Sequence, residues 1–366
     1  MKMRYKLSEI FDLQMGKTPA RNNPKYWEGG TNPWISIADM SLNGKYIDTT
    51  KECITDCAVK ETGIKPIFPG TVIMSFKLSV GKVAHTTVKS YSNEAIMSFE
   101  IKDSLPFLLD NDYVYYLISS LKFENIGNKA VMGKTLNKDI LKNTYVNIHE
   151  WKDQIQIVSE LDNVTKLIDL CKKQLLKLDE LVKSRFIELF GDPLKNDKVL
   201  PTVSGETLFK LSNGKALPNS KRFAEGIPAY GGNGISWYTD EILCDYDTII
   251  VGRVGFQSGN VHLAKAPLWV TDNAMYISNI NSQVCDIRFL CALMEHIDFT
   301  RYQDAGDLKK ITQKPFMQMQ YLMPPMSLQR QYIAFVEQTD KSKLALQKSL
   351  DVLETLKKSL MQKYFG

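Results

Sequence analysis

A glycine- and lysine-rich segment, Gly127 to Thr135, is the first place where the sequence could do chemistry, because it is close to a phosphate-binding loop. Its last three residues supply the Gly-Lys-Thr ending of that motif. The motif requires four residues between its two glycines, so that successive backbone amides surround a phosphate, and this segment has five. We therefore exclude nucleotide hydrolysis. Lys129, Lys134 and Lys138 could contact DNA phosphates or could form a solvated loop, and the sequence leaves both interpretations open.

Three further short motifs are typical of enzymes, but each lacks the residues that would complete a site. Glu100-Ile101-Lys102 offers the last two members of a nuclease carboxylate and lysine set, without the upstream Pro-Asp. Asn23 to Tyr26 resembles the N-P-P-Y turn of amino-methyltransferases, but Lys25 replaces the second proline and no G-x-G cofactor loop accompanies it. Tyr230 to Gly234 lacks the spacing of a dinucleotide site. The sequence therefore predicts no catalytic residues and no cofactor.

Composition restricts the class of protein further. The 366 residues carry a net charge of +5, which permits nucleic acid as a partner without requiring it. The six cysteines and four histidines show no pair at metal-ligand spacing, which predicts reduced thiols and no structural zinc. No apolar run approaches the roughly 18 residues of a membrane span, and the first residues lack the apolar core of a signal peptide. These features predict a cytoplasmic protein.

Two long amphipathic helices, at 150–191 and 327–366, are expected to position the rest of the chain. Both end in Phe-Gly, at an offset of 175 residues, whereas Asp153–Glu160 matches Arg330–Glu337 at an offset of 177. One such helix would be read as core packing, but two matching copies favour a paired spacer. The apolar residues of the first helix recur at alternating spacings of three and four, as in a coiled coil, and are Leu161, Val164, Ile168, Cys171, Leu175, Leu178 and Val182.

The segments that precede the two helices also match each other. Gly16-Lys17 aligns with Gly214-Lys215, and both follow a short helix or strand. Gly70–Ala84 aligns with Asp247–Val261, and both predict β-hairpins because β-branched runs are broken by glycine. Between the aligned lysine and threonine the first copy has 54 positions and the second has 33. The framework is therefore shared and the loops differ, as expected where two blocks touch different things.

The order of these parts resembles the specificity subunit of Type I restriction-modification systems. The resemblance covers essentially the whole chain, and the segments that carry it are Gly16–Pro19, Val251–Val261, Trp269–Ala274, Pro324–Gln331 and the two helices that end in Phe-Gly. It implies two mixed α/β target-recognition domains and an antiparallel two-helix coiled coil, with pseudo-two-fold internal symmetry. The implied bounds are 1–149 and 192–326 for the domains, and 150–191 and 327–366 for the helices.

The resemblance also implies partners, namely double-stranded DNA, two DNA methyltransferase (modification) subunits and restriction subunits, with no membrane. Because the two blocks are not identical, each should read a different half of an asymmetric, interrupted target. Base contacts are expected from polar side chains in loops punctuated by glycine. The candidates are Lys17, Thr18, Arg21, Ser75, Lys77 and Lys134 in the first block, and Lys215, Arg253, Gln257, Ser258, Lys309 and Lys310 in the second.

Two alternatives stay open at the level of sequence. The same architecture could serve a Type II methyltransferase with a detachable recognition subunit. In a different class of protein, the coiled coil would be the functional surface of a scaffold that does not bind DNA. Salt-dependent DNA binding would separate the first two interpretations from the scaffold.

Overall fold

The computed structural model describes residues 3–77, 79–122, 138–306 and 309–366, which form two compact units. Unit 1 comprises Met1–Cys171 with Ser349–Gly366, and unit 2 comprises Lys172–Lys348. Each unit combines β-sheets with helices. The prediction of a mixed α/β fold is therefore confirmed.

Unit 1 is built around a sheet with the strand order β2-β9-β6-β7-β4, beside a sheet β5-β3-β8 and a pair β1-β10. Its strands are β1 (Met3–Lys6), β2 (Phe11–Met15), β3 (Asn32–Ile35), β4 (Tyr46–Ile47), β5 (Glu52–Ile54), β6 (Val72–Ser75), β7 (Val83–Thr86), β8 (Tyr91–Ser92), β9 (Ile96–Ile101) and β10 (Tyr145–Ile148). Its helices are α1 (Leu7–Ile10), α2 (Ile37–Leu42), α3 (Asp56–Thr62), α4 (Asn111–Ser119), α5 (Lys138–Asn143) and the first part of α6 (Trp151–Phe190).

Unit 2 contains a sheet with the strand order β12-β18-β15-β16, a sheet β14-β13-β17 and a pair β11-β19. Its strands are β11 (Thr202–Ser204), β12 (Phe209–Asn213), β13 (Ile227–Gly231), β14 (Gly234–Thr239), β15 (Thr248–Gly252), β16 (Val261–Ala264), β17 (Trp269–Val270), β18 (Ala274–Ile280) and β19 (Gln320–Leu322). Its helices are α7 (Gly205–Leu208), α8 (Ile287–Glu295), α9 (Lys314–Gln318) and the first part of α10 (Met326–Phe365).

The elements of the two units correspond in order. Each unit opens with a one-turn helix that runs directly into a strand, α1 into β2 and α7 into β12. The two expected hairpins are present, because β6 pairs antiparallel with β7 and β15 pairs antiparallel with β16. A helix of nine residues, α4 or α8, then precedes the long helix. The repeat seen in the sequence is thus a repeat of topology.

A buried glutamine fixes the start of each long helix. In unit 1 the Gln154 side chain accepts from Asp110 N at 3.0 Å and donates to His149 O at 2.9 Å. In unit 2 the Gln329 side chain accepts from Asp286 N at 3.0 Å and donates to Pro324 O at 2.8 Å. Both side chains are almost fully buried, so each amide must satisfy its hydrogen bonds inside the protein.

The two glutamines are 175 residues apart, as are the first and the last residues of α6 and α10. The match of Asp153–Glu160 to Arg330–Glu337 at an offset of 177 is therefore not the structural register. Gln154 corresponds to Gln329 and not to Gln331, because Gln329 has the same hydrogen bonds and the same burial. One register holds along the whole helix, and the apparent shift of two residues came from a chance likeness of neighbouring letters.

The long helices complete the core of each unit. In unit 1, Ile157 and Leu161 of α6 are buried in the main core, and Phe365 of α10 packs against it. In unit 2, Phe190 of α6 and Tyr332 of α10 are buried in the corresponding core, with ring centroids 5.6 Å apart. Neither unit has a core made of its sheet elements alone.

Within unit 2 the two long helices run antiparallel, since Arg185 of α6 lies over the ring of Phe335 and Lys343 of α10 pairs with Asp179 at 2.7 Å. In unit 1, the Tyr364 hydroxyl of α10 donates to Glu160 of α6 at 2.5 Å. Helix α6 ends at Phe190, because Gly191 adopts a positive φ of 71° that closes the last turn.

A charged network attaches the sheet of unit 1 to α6. Lys45 Nζ lies 2.8 Å from a carboxylate oxygen of Asp112 and 2.8 Å from one of Asp162, which is on α6. The Tyr116 hydroxyl donates to the same oxygen of Asp162. Burial alone would lower the pKa of Lys45, but its hydrogen bonds to the two carboxylates outweigh burial and raise it. Lys45 therefore stays charged and holds the two elements together.

Candidate nucleic-acid interface

The Gly-Lys turn of the first block leaves the sheet directly after β2. The backbone amide of Gly16 donates to Ile96 O at 3.1 Å, and the amide of Lys17 donates to Ser92 O at 2.8 Å. The side chain of Lys17 is exposed, and its Nζ donates to Thr62 O at 2.6 Å, at the end of α3. This turn therefore presents a cation from a fixed backbone.

The Gly-Lys turn of the second block has the same backbone bonds. After β12, Gly214 N donates to Ala274 O at 2.9 Å and Lys215 N donates to Val270 O at 2.8 Å. The side chain of Lys215 is exposed, and among the described residues its Nζ has no hydrogen-bond acceptor. The two turns are thus built alike, although the strands around them differ in length.

Glycine is required at both turns because another backbone segment lies against the Cα atom. A Cβ atom on Gly16 would overlap the carbonyl oxygens of Ser92 and Asn93. A Cβ atom on Gly214 would overlap the carbonyl oxygens of Val270 and Thr271. These are the segments Ser-Asn-Glu-Ala and Thr-Asp-Asn-Ala that already match in the sequence.

An indole group fixes each turn from the side. Trp34 Nε1 donates to Lys17 O at 3.2 Å, and Trp269 Nε1 donates to Lys215 O at 2.9 Å. The two tryptophans are on strands that do not correspond, since Trp34 is on β3 and Trp269 is on β17. In each unit these strand positions form a parallel pair, Trp34 with Tyr91 and Ala229 with Trp269. The same hydrogen bond is therefore made from opposite members of the pair, and the sequence alignment did not identify it.

Arg21 follows the first turn and is held on three sides. Its guanidinium makes two hydrogen bonds to the Glu52 carboxylate, at 2.6 and 3.0 Å. It also lies 4.0 Å from the ring centroid of Trp27 and 4.6 Å from that of Trp34, a cation–π geometry. Arg21 is exposed and oriented, but a base could use its donor groups only in competition with Glu52.

Glu94 brings together several candidates of the first block. The Thr18 hydroxyl donates to its carboxylate, and this bond lowers the pKa of Glu94 despite partial burial. The positive charges of Lys77 and Arg21 act on the carboxyl in the same direction. Thr18, Arg21 and Lys77 therefore surround one negative charge. The aligned position in the second block is Asn273, which is neutral.

The remaining candidates of the first block differ in accessibility. Ser75 is fully buried, with its hydroxyl donating to Ser79 O at 2.7 Å and accepting from Lys82 N at 3.0 Å. It therefore shapes the β6–β7 loop and does not face outward. Lys77 is half-buried, with Nζ 5.4 Å from the ring centroid of Phe76. Lys134 lies outside the described residues.

The candidates of the second block are concentrated on the β15–β16 loop and a neighbouring strand-like segment. Arg253 N donates to Asn273 O at 2.9 Å, and the guanidinium of Arg253 donates to Asp272 O at 3.3 Å. Lys310 forms a bridge with Val254, so Lys309 and Lys310 lie beside this loop. The side chains of Gln257 and Lys310 are exposed, and Arg253 and Lys309 are half-buried.

Ser258 does not share this exposure. It is fully buried, and its hydroxyl has no hydrogen-bond partner among the described residues. Like Ser75 of the first block, it lies inside the hairpin loop. The structure thus brings Arg253, Gln257, Lys309 and Lys310 together at one surface of unit 2 and leaves Ser258 beneath it.

The described residues offer no group that would carry catalysis by itself. No three His, Cys, Asp or Glu side chains among them are grouped so as to hold a metal ion. Burial raises the pKa of the Cys285 thiol to about 12, so this thiol stays protonated and unreactive at neutral pH. Within the same residues no helix has the length and apolar character needed to cross a membrane.

The fold and these turns define a class of protein with two recognition blocks, each built on both of two long helices. Residues 2–180 match the family model described as Type I restriction modification DNA specificity domain. The EcoprrI specificity subunit of Escherichia coli, a Type I restriction enzyme subunit, is 22% identical over 292 residues, which are 74% of this chain and 71% of that protein. The MjaIX specificity subunit of Methanocaldococcus jannaschii is 29% identical over 202 residues, which are 53% of this chain and 45% of that protein.

Solved structures agree at the level of fold. The S subunit of a Type I restriction-modification system from M. genitalium aligns over 100% of this chain and 96% of its own, with a TM-score of 0.61 and 16% identity. A chain from a structural study of complex assembly in the type I restriction-modification system aligns over 99% and 97%, with a TM-score of 0.66 and 14% identity. The chain belongs to the family of Type I restriction-modification specificity subunits.

Proposed function

We propose that this chain reads an asymmetric, interrupted DNA target and holds methyltransferase and restriction subunits at that target, without catalysing either reaction itself. The observation that carries the proposal is the duplicated Gly-Lys turn, with the same backbone bonds and the same indole donor in both units but with different charged groups around it. A duplicated frame with different surroundings is suited to reading two different half-sites.

The proposed contacts are exposed or half-exposed cations and amides near these turns. A positively charged surface attracts the phosphate backbone, and amide or guanidinium groups can discriminate base edges. Ser75 and Ser258 would act indirectly, by shaping the loops from inside. The proposed contact residues are Lys17, Thr18, Arg21 and Lys77 in the first block, and Lys215, Arg253, Gln257, Lys309 and Lys310 in the second, with Lys134 retained on sequence grounds.

An exchange of one block tests the proposal. Residues 200–322 are replaced by the matching block of another specificity subunit, and the modification subunits are added with S-adenosylmethionine. Sequencing of the methylated bases should show one half of the target changed and the other half kept. A change in both halves would contradict independent reading by the two blocks.

Two controls separate the parts of the proposal. Methyl transfer by the chain alone, purified from a host without methyltransferases, would contradict its non-catalytic role. Absence of salt-dependent DNA binding by the chain with its partners would favour a scaffold that does not bind DNA, since phosphate contacts always release counterions.

A further inference from the structure

The β15–β16 loop, residues 253–260, exposes an aromatic ring that the proposed contacts do not include. Phe256 is 92% exposed. Burial of a phenylalanine side chain contributes about 1.5–3 kcal/mol, and this ring forgoes that contribution in the free protein. Single exposed apolar side chains are common on surfaces, so the structure of the loop decides whether this one has a role.

The loop is built to hold its backbone in place while the ring points outward. Gly255 and Gly259 adopt positive φ values of 96° and 97°, which other residues rarely adopt. Gly255 N donates to Lys309 O at 2.8 Å, and the Gln303 side chain donates to the carbonyls of Phe256 at 3.3 Å and Ser258 at 2.7 Å. The backbone of Phe256 is thus anchored from a separate segment of the chain. An anchored loop loses little conformational entropy on binding.

The surroundings of the ring are cationic. Arg253, Lys309 and Lys310 belong to the loop or lie beside it. The nearby acidic residue, Asp304, accepts a hydrogen bond from the backbone amide of Lys310 at 2.9 Å. Three positive charges with an apolar ring at the tip are the combination that proteins use to follow a phosphate backbone and stack on, or wedge between, bases.

We propose that Phe256 inserts its ring against the bases of the second half-site, where it unstacks one base step and fixes the register of unit 2 on the DNA. This inference rests on the proposed function and adds a contact of a different kind, one that depends on stacking and not on charge. Its signature is a loss of affinity that salt does not modulate.

The test uses the chain with its modification subunits and a duplex that carries the target read from methylated DNA of the source cell. Adenines of the second half-site are replaced one at a time by 2-aminopurine, whose fluorescence rises when its stacking is lost. The wild-type complex should brighten at one position. Phe256→Ala should abolish that signal and raise Kd about ten-fold, because a base–aromatic stack contributes about 1–3 kcal/mol.

Matched variants separate stacking from charge and from general damage. Phe256→Tyr should keep both the fluorescence and the affinity. Lys309→Ala should weaken binding and reduce the slope of log Kd against log salt by about one, whereas Phe256→Ala should leave that slope unchanged. Leu42→Ala, at an 80% exposed position of the other block, should change neither property.

Two results would overturn the inference. One is an affinity of Phe256→Ala within two-fold of wild type, with the 2-aminopurine signal intact. The other is a loss of modification subunits from the purified complex at unchanged DNA affinity, which would assign the ring to a protein contact. If the wild-type complex bound no duplex in a salt-dependent way, the proposed function itself would fail, and that failure is visible without any variant.

Discussion

The two Gly-Lys turns share a backbone but differ in the charges that surround them. In the first block, Arg21 is paired with Glu52, and Thr18 is bonded to Glu94. In the second block, Arg253 bonds to a backbone carbonyl, and Lys215 has no acceptor for its side chain among the described residues. The first block therefore offers cations that are already neutralised, and the second offers cations whose charge is largely uncompensated.

This difference indicates that the frame and the reading groups are separable. Hydrogen bonds between backbone groups, and the indole donors, determine where the turn lies. The carboxylates next to the turn determine how much of its charge is available to DNA. Substitutions in the frame should therefore affect the stability of one unit, whereas substitutions of the carboxylates should affect affinity alone.

The largest effect is expected from the glycines of the turns. Gly16→Ala or Gly214→Ala places a methyl group against backbone oxygens that cannot move independently, and we expect a loss of about 3 kcal/mol in the free energy of unfolding. Hydrogen exchange should show the loss in the unit that carries the substitution. Lys215→Ala, which keeps the turn and removes only an exposed side chain, is the control. Equal destabilisation of both units by either variant would contradict separate frames.

A smaller effect is expected from the indole donors. Trp34→Phe and Trp269→Phe keep an aromatic ring but remove the N–H group, so the lysine carbonyl of the turn loses its partner. We expect each variant to lose about 1–2 kcal/mol of stability in its own unit, as measured by chemical denaturation. Each should also relax selectivity in one half of the target. Trp27→Phe, next to Arg21 but without a bond to the turn, should leave the free energy of unfolding nearly unchanged.

The smallest effect is expected from exchanging the charge at one aligned position. Glu94→Asn should give the first block the neutral environment of the second and tighten DNA binding about three-fold at low salt, since a carboxylate near phosphate is removed. Asn273→Glu should weaken binding by a similar factor. Both changes should fade as salt is raised. Shifts of the same sign in the two variants would show that local charge does not distinguish the blocks.

The sequence predicted the long helices and the repeat because both depend on local patterns. The heptad seam and the Phe-Gly ends need only neighbouring residues, and the Gly-Lys turns align directly. The register at the start of the helices was wrong by two residues, because the decisive feature is the burial of Gln154 and Gln329. A search for one polar residue at the same distance from both Phe-Gly ends would have found them.

The candidate contacts were harder to predict, because their environment comes from distant parts of the chain. Glu52, which neutralises Arg21, is 31 residues away along the chain. Ser75 and Ser258 have the residue type of a base reader but are buried under their own loops. Trp34 and Trp269 make one hydrogen bond from strands that do not align, so a comparison of letters could not pair them. Phe256 attracted no attention because a phenylalanine in a sequence normally predicts core.

The cores of both units draw on α6 and α10, and this has a consequence for biosynthesis. Leu360 and Phe365 of α10 pack against the core of unit 1, whose sheets end at Ile148. Translation proceeds at roughly 5–20 residues per second, so unit 1 must wait about 10–40 s for these side chains after Ile148 has been added to the chain. During that interval the apolar side of α6 near Leu161 lacks part of its cover. We expect unit 2 to finish folding first on the ribosome, although it is translated second.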